Sequence, residues 1–245
     1  MDQYAVLSDI HANIWALEAV LADAANRGLG QMINLGDSLY GPLEPQVTAE
    51  CLMNIPVISV QGNQDRLLLE ETSLSASPTL SFVQEELHPQ SLAWLADQPA
   101  TRLVGEELFL CHGTPQSDET YFLENMSAAG GFLKEPALIQ AQLASVDRAV
   151  IVCGHSHIPR TVQLSNGCLV VNPGSVGLPA YSDDLPVAHK METGSPHARY
   201  AVVSETAAGW SVEQIAVPYE WNKAARKARQ EGQNDWAAWL ESGRA

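Results

Sequence analysis

The amino-acid sequence predicts an α/β protein, and three observations carry that expectation. Short apolar runs of the kind that form strands buried on both faces recur along the chain, beginning with Tyr4 to Leu7. Each run stops abruptly at polar residues, and the first two are followed by apolar residues at three- and four-residue spacing. Strand followed by helix, repeated, is the pattern of a sheet with helices on its faces.

The elements follow in order. Tyr4 to Leu7 ends at Ser8-Asp9-Ile10-His11, and Ile14, Leu17, Val20, Leu21 and Ala24 then mark a helix that Gly28 and Gly30 stop. Met32 to Leu35 runs into Gly36-Asp37, a helix is expected from Pro45 to Asn54, and Val57 to Val60 runs into Gly62-Asn63-Gln64-Asp65. Glu107 to Leu110 ends near His112-Gly113, and Ala149 to Val152 ends in Gly154-His155-Ser156-His157. Beyond this the helical spacing fades. Thr161 to Leu164, Cys168 to Val171, Arg199 to Val203 and Trp210 to Val217 read as successive strands of a second, more antiparallel sheet. A helix over residues 220–242 is expected to pack on the body through Trp221, Ala224, Ala225, Ala228, Trp236, Ala237 and Leu240. Thr72 to Thr79 and Gly177 to Pro196 read as loops.

At 245 residues the chain is expected to form a single domain, residues 1–245. Thirteen Lys and Arg stand against 29 Asp and Glu, a formal charge of −16, which repels the backbone of bulk nucleic acid and an anionic membrane surface. No apolar run approaches the roughly 18–20 residues of a spanning helix. With no basic, apolar leader at its start, the chain is expected to be cytoplasmic. Cys51, Cys111, Cys153 and Cys168 lack paired spacing and read as reduced, buried thiols. Lys223, Arg226, Lys227 and Arg229 fit a solvated helix face better than an anionic docking site. The Trp-bearing C-terminal stripe fits a monomer or a homodimer.

Asp9 and His11 lie two apart at a strand end, so both side chains are expected to leave one face and converge on an ion. Asp37, Asn63, His112, His155 and His157 complete seven nitrogen and oxygen donors, all at the carboxyl ends of predicted strands. Open α/β sheets bind ligands at those ends. Seven donors exceed one tetrahedral site, so two divalent ions sharing a carboxylate fit them better, and the imidazole and oxygen mixture suits Mn, Fe, Ni, Zn or Co.

The ordered blocks Asp9-Ile10-His11, Gly36-Asp37, Gly62-Asn63-Gln64-Asp65, Cys111-His112-Gly113 and Gly154-His155-Ser156-His157 resemble the calcineurin-like metallophosphoesterase family, as does Asn172-Pro173-Gly174-Ser175. The resemblance covers roughly residues 4–177. It implies a four-layer α/β/β/α sandwich of two mixed sheets flanked by helices. It also implies a binuclear centre in which Asp9, His11 and His157 hold one ion, Asn63, His112 and His155 the other, and Asp37 bridges them. Manganese is the first expectation for the metal, and a metal-bridging hydroxide would be the nucleophile toward a phosphate ester.

Two positions depart from that pattern. Many relatives carry Gly-Asn-His where this chain has Gly62-Asn63-Gln64, and that histidine is thought to contact phosphate and protonate the leaving group. A glutamine amide can donate a hydrogen bond but no proton, forfeiting about 10²-fold or more of acid assistance. Gln64 therefore points to phosphodiester or nucleotide-type substrates whose leaving oxygen needs little help. Asp65, which would orient the family histidine, is left with a supporting or capping role. Ala12 replaces a frequent glycine and keeps the turn small. Asn63, Gln64, Arg66, His189 and Arg199 are the candidate substrate contacts, with Lys190 and His197 in the same late segment. Within the superfamily the alternatives are a phosphoprotein phosphatase and a dinucleoside-polyphosphate hydrolase; outside enzymes, the alternative is a non-catalytic metal-binding interaction module.

Overall fold

The computed structural model describes residues 2–70 and 77–245. From the N-terminus the elements are β1 (Gln3–Leu7), α1 (Ile14–Asn26), β2 (Gln31–Asn34), α2 (Pro45–Met53), β3 (Val57–Ser59) and α3 (Asn63–Glu70). There follow α4 (Pro78–Glu86), α5 (Pro89–Ala96), β4 (Thr101–Val104), β5 (Leu108–Cys111), β6 (Glu124–Ser127), β7 (Gly130–Leu133) and α6 (Pro136–Ala141). The second half contributes β8 (Val150–Val152), β9 (Arg160–Gln163), β10 (Leu169–Asn172), β11 (Ala180–Asp183), β12 (His189–Glu192), β13 (Ala198–Thr206), β14 (Gly209–Val217), α7 (Trp221–Gln230) and α8 (Asn234–Ser242).

Two mixed five-stranded sheets face each other, ordered β14-β13-β1-β2-β3 and β4-β5-β8-β10-β9. β1, β2 and β3 are parallel, as are β5, β8 and β10, so the carboxyl ends of three strands in each sheet share an edge. Between the sheets lie Tyr4, Val6, Ile33, Leu35, Leu110, Val152 and Val171, all buried. The alternate residues Ala5 and Leu7 face the other way, against α1, α2, α4 and α5 through Leu17, Val20, Leu52 and Val83. Behind the second sheet, Ile139 of α6 and Leu143 pack on Ile151, Cys153 and Val170. The result is the four-layer helix, sheet, sheet, helix order. Period-two alternation within strands buried on both faces produces it directly.

Local chemistry fixes the helix starts. Proline opens α2, α4, α5 and α6, where its missing N–H costs nothing, and the Asn13 side chain accepts a hydrogen bond from Ala16 N to cap α1.

Several expectations are corrected here. The last two strands of the predicted second sheet belong to the first: β13 pairs antiparallel with β1, and β14 with β13. The cause is that Tyr200, Ala201, Val202 and Val203 are all buried, which requires a place inside a sheet with layers on both sides. The expected loop Gly177 to Pro196 contains the β11–β12 hairpin, in which buried His189 and Met191 alternate with exposed Lys190 and Glu192; prolines and charges obscure that short alternation. The single helix over 220–242 is two, broken at Gly232 with φ +76°, because both apolar stripes must fold onto one cluster with Ala12 and Leu43. Of the expected Thr72 to Thr79 loop, residues 72–76 lie outside the described residues, and Thr79 belongs to α4. Cys111, Cys153 and Cys168 are free and buried, whereas Cys51 is only half-buried. Among the described residues no helix is long and apolar enough to cross a membrane.

Candidate metal centre

The shared edge of the two sheets gathers the donors. Asp9 and His11 follow β1, Asp37 follows β2, Asn63 opens α3 after β3, His112 follows β5, and His155 and His157 follow β8. Asp9, His11, Asp37, His112 and His157 are buried; Asn63 and His155 are partly exposed. Asp9 and His11 converge by a mechanism other than the expected strand pleat. They lie past the strand with φ of 54° and 50°, and Asp37, His155 and His157 share the left-handed region at 51°, 68° and 60°. Each such residue costs of order 1–2 kcal/mol, so the loops that hold five donors in this conformation are strained at a functional place.

Backbone hydrogen bonds hold those loops. Asp9 N donates to Gly36 O, His11 N to Asp37 O, and Ala12 N to Ser38 O, each at 3.0 Å, which ties the end of β1 to the end of β2. The Asn172-Pro173-Gly174-Ser175 segment braces the other side: Asn172 Nδ2 donates to Gly154 O at 2.7 Å, and Ser175 Oγ donates to Asp9 O at 2.7 Å. Gly62 and Gly154 are required by close approach. A Cβ on Gly62 would lie 2.1 Å from Asp37 Oδ1, and one on Gly154 would lie 1.9 Å from Ser8 Oγ.

Each histidine is oriented from behind. Nδ1 donates to Tyr40 O from His11 at 2.9 Å, to Leu35 O from His112 at 2.8 Å, and to Leu178 O from His157 at 2.7 Å. His155 is held by the opposite nitrogen, Nε2 donating to Glu119 O at 3.1 Å. A carbonyl only accepts, so the inward nitrogens of neutral rings present lone pairs. His11 Nε2 and His157 Nε2 then face each other at 3.0 Å, an arrangement that is unfavourable unless a proton or a cation lies between them. His112 Nε2 faces Asn63 Oδ1 at 3.1 Å and Asp37 Oδ2 at 3.4 Å, while Asp9 Oδ1 is buried with no hydrogen-bond partner. Asp9, His11 and His157 form one group whose donor atoms lie within 4.8 Å of one another, and Asp9, Asp37 and His112 form a second. Asp9 thus belongs to both groups. This donor set, short of positive charge and hydrogen atoms, fits divalent cations.

The electrostatics follow from the same crowding. Burial opposes ionisation of Asp9 and Asp37, but nearby histidines outweigh it and both carboxyls are lowered. Burial also opposes charge on His112, yet the Asp37 and Asp9 carboxylates push it up to about 10. His11, by burial and then its proximity to His157, falls to about 4; His155 falls to about 4 by burial and then by His112.

The remaining candidates are placed as follows. Asp65 is buried and accepts from Ser38 N at 2.9 Å and Gly62 N at 3.1 Å, tying together the turns that carry Asp37 and Asn63. Burial, with Asp37 close by, pushes its carboxyl up to about 7. Gln64 lines a pocket over the donors, and its backbone N–H donates to Asp37 Oδ1 at 2.9 Å. Arg66 points elsewhere: its guanidinium meets Asp118 at 2.8 Å, Glu119 at 2.8 Å and Glu70 at 3.0 Å. His189 sits behind the pocket, its Nε2 3.1 Å from the Tyr121 hydroxyl. Arg199 is on β13 and packs its side chain near Gly174, outside the pocket lining. Lys190 reaches the C-terminal Ala245, and His197 bonds Ser195 at 2.8 Å. Residues that sequence reasoning passed over line the pocket walls, Tyr40, Tyr121, Tyr181 and Trp239, and Trp236, which the sequence marks only as part of the stripe packed on the body, joins them while also packing on that cluster. Tyr121 stacks on His155 at 4.5 Å between ring centroids, and Tyr181 meets His157 edge-on at 4.6 Å. Nothing in the spacing of isolated aromatics marks them; only the fold brings them to the donors.

Comparison with known proteins agrees with the geometry. The sequence model of the Calcineurin-like phosphoesterase superfamily domain matches residues 3–193. An uncharacterized protein of Methanocaldococcus jannaschii is 25% identical over 251 residues, covering 95% of this chain and 94% of its own. The crystal structure of a metallophosphoesterase from Sphaerobacter thermophilus superposes with a TM-score of 0.77 at 23% identity, covering 98% of both chains. That of a hypothetical protein from Pyrococcus horikoshii OT3 gives 0.74 at 20% identity over 99% of both.

Proposed function

Because the chain belongs to the calcineurin-like phosphoesterase superfamily, whose members include metal-dependent phosphoesterases, we propose that it hydrolyses phosphodiesters of small, nucleotide-type substrates. One observation supports metal binding foremost: the Nε2 atoms of His11 and His157, each oriented from behind by a backbone carbonyl, face each other at 3.0 Å beside the unpartnered Asp9 Oδ1, an arrangement that a cation relieves. Asp9, His11 and His157 would hold one divalent ion, and Asn63, His112 and His155 the other, with Asp37 between them. Manganese is the first choice and Fe, Ni, Zn or Co share the donor preference. Bound there, two such ions supply Lewis acidity to the phosphoryl group and to the attacking water.

The chain's own residues set the substrate. Gln64 stands at the pocket wall, where its amide can hydrogen-bond a phosphoryl oxygen. It holds no proton to give, and Asp65 behind it is engaged by two backbone N–H groups. As the bond from water oxygen to phosphorus forms, that water gives up a proton to solvent; as the ester P–O bond breaks, the leaving oxygen departs with the electron pair and takes a proton from solvent. An ester whose leaving group tolerates that charge is favoured.

The test is hydrolysis of a bis-aryl phosphodiester beside the matching monoester, using chelator-treated protein reloaded with Mn, Ni, Zn or Mg. Diester turnover should require metal, exceed monoester turnover, and fall at least 10³-fold in Asp37→Ala. Monoester preference would overturn the argument from Gln64. Retained metal binding with no turnover of either ester would favour the non-catalytic interaction module.

A further inference from the structure

We propose that the pocket takes an ester of a single phosphate bearing a planar ring, and that Trp236 and Trp239 of α8 form the surface on which that ring lies. This inference rests on the phosphodiesterase reading and narrows it.

Charge argues for one phosphate. Among the described residues lining the pocket none is Arg or Lys, so its positive charge would come from the metal centre alone. Arg66, beside His112 in the neighbouring depression, is committed to three carboxylates. Asp183 lies on the rim, and the chain carries −16 overall. A second or third phosphate would meet negative charge where a polyphosphate site places cations.

Aromatic surface argues for the ring. Trp236 and Trp239 are three residues apart on α8, so both project from one face, with ring centroids 6.2 Å apart and planes inclined at 41°. Both are partly exposed and both line the pocket, so ring surface is available to a ligand. Trp236 also touches the centre, its ring meeting that of His11 edge-on at 5.8 Å. The wall is fixed in register with the donors. Ala237 and Leu240 of the same helix are fully buried against Ala12 and Leu43, and Ala12 is the neighbour of His11. Across the pocket, the hydroxyls of Tyr121 and Tyr181 bond each other at 2.9 Å, and Tyr181 donates to His155 O at 3.2 Å. Those two rings are occupied with the histidines, and Tyr40, which also lines the pocket, is tied through its hydroxyl to Ser77 at 3.2 Å; of the remaining aromatic surface Trp236 gives one edge to His11 and Trp239 makes no such contact with a histidine. The pocket's volume is about 210 Å³, below the roughly 300–1,000 Å³ usual for pockets that enclose a small organic ligand, so the ring would lie across an open mouth against the tryptophans. The superfamily match ends at residue 193, so this wall is supplied by a part of the chain beyond the matched region.

The experiment compares AMP, ribose 5-phosphate and ATP binding to the manganese-loaded full-length protein by calorimetry and tryptophan fluorescence. AMP should bind about tenfold or more tighter than ribose 5-phosphate and quench fluorescence, and ATP should bind no tighter than AMP. Trp239→Ala should reduce AMP to the affinity of ribose 5-phosphate while manganese affinity, titrated separately, changes less than twofold; Trp236→Phe should retain the preference for AMP. For a nucleoside aryl phosphodiester, Trp239→Ala should act on KM rather than kcat. Equal binding of AMP and ribose 5-phosphate, or ATP binding tenfold tighter than AMP, would overturn the proposal. Diester hydrolysis without ring preference would do so while leaving the phosphodiesterase reading intact. No binding of any of the three to protein that holds manganese, together with no diester turnover, would overturn both.

Discussion

Gly62 is the smallest residue at the site and has little room for change. A methyl group there would collide with both the backbone and the carboxylate of Asp37, so Gly62→Ala should weaken divalent-metal affinity about 10- to 100-fold, measurable by calorimetric titration. The histidines make a second prediction. In chelator-treated protein, His11 and His155 titrate at about 4, whereas in the unfolded chain they titrate near 6.5. The unfolded state therefore binds two protons that the fold refuses, while Asp65, raised to about 7, takes up one in the fold over the same range, so stability should fall as pH drops from about 6.5 to 4 by at most roughly 1.4 kcal/mol per pH unit. His112 acts oppositely. Raised to about 10 by its carboxylate neighbours, it contributes stability that is complete below about 6.5 and lost as pH rises towards 10. Denaturation midpoints between pH 4 and 10 should accordingly peak near 6.5, and manganese loading at pH 8 should release a proton from His112, detectable as a buffer-dependent binding enthalpy. The polar block after each strand could be read in the sequence because each donor stands within five residues of an apolar run. The pocket's aromatic walls could not, since Tyr121, Tyr181 and Trp239 come from segments whose approach is decided by tertiary packing.

At the scale of elements, the C-terminal hairpin shows how a correct pattern can conceal a break. The apolar positions of α7 and α8 are those the sequence indicates, but Gly232 turns the chain, and Gln233 N–H bonds back to Ala228 O at 2.8 Å. Ala224, Ala225 and Ala228 can then meet Ala237 and Leu240 in one cluster. Gly232→Ala places a side chain at positive φ and should cost about 1 kcal/mol, read as a Tm lower by roughly 2–4 °C. The β11–β12 hairpin escaped sequence reading for another reason. Its strands are four residues each, and only Ala180, His189 and Met191 are buried in them, too few points to define a period. By contrast β1 and β8 were legible because Tyr4–Leu7 and Val150–Val152 are buried on both faces, which demands an unbroken apolar run.

At the scale of the molecule, the layer between the two sheets holds the halves of the metal centre in register. Leu110 is fully buried there, next to the strand end that carries His112. Leu110→Ala should cost about 2–5 kcal/mol and lower the urea midpoint without changing the slope of the transition. That the first sheet is mixed follows from β13, whose return to it the sequence left undetermined: an apolar strand fits either sheet, and only the open side of β1 selects one. The same pairing has a consequence for biosynthesis. β1 leaves the ribosome well before its partner β13, which lies about two hundred residues later, at Ala198–Thr206. Until β13 emerges, an apolar strand that leads into two of the candidate donors has one edge unpaired, exposed to the edges of neighbouring nascent chains. A messenger truncated before β13 would yield a polypeptide that contains every donor and still lacks the cover for the strand on which the centre is founded; such a product is destined for chaperones or inclusion bodies rather than for metal.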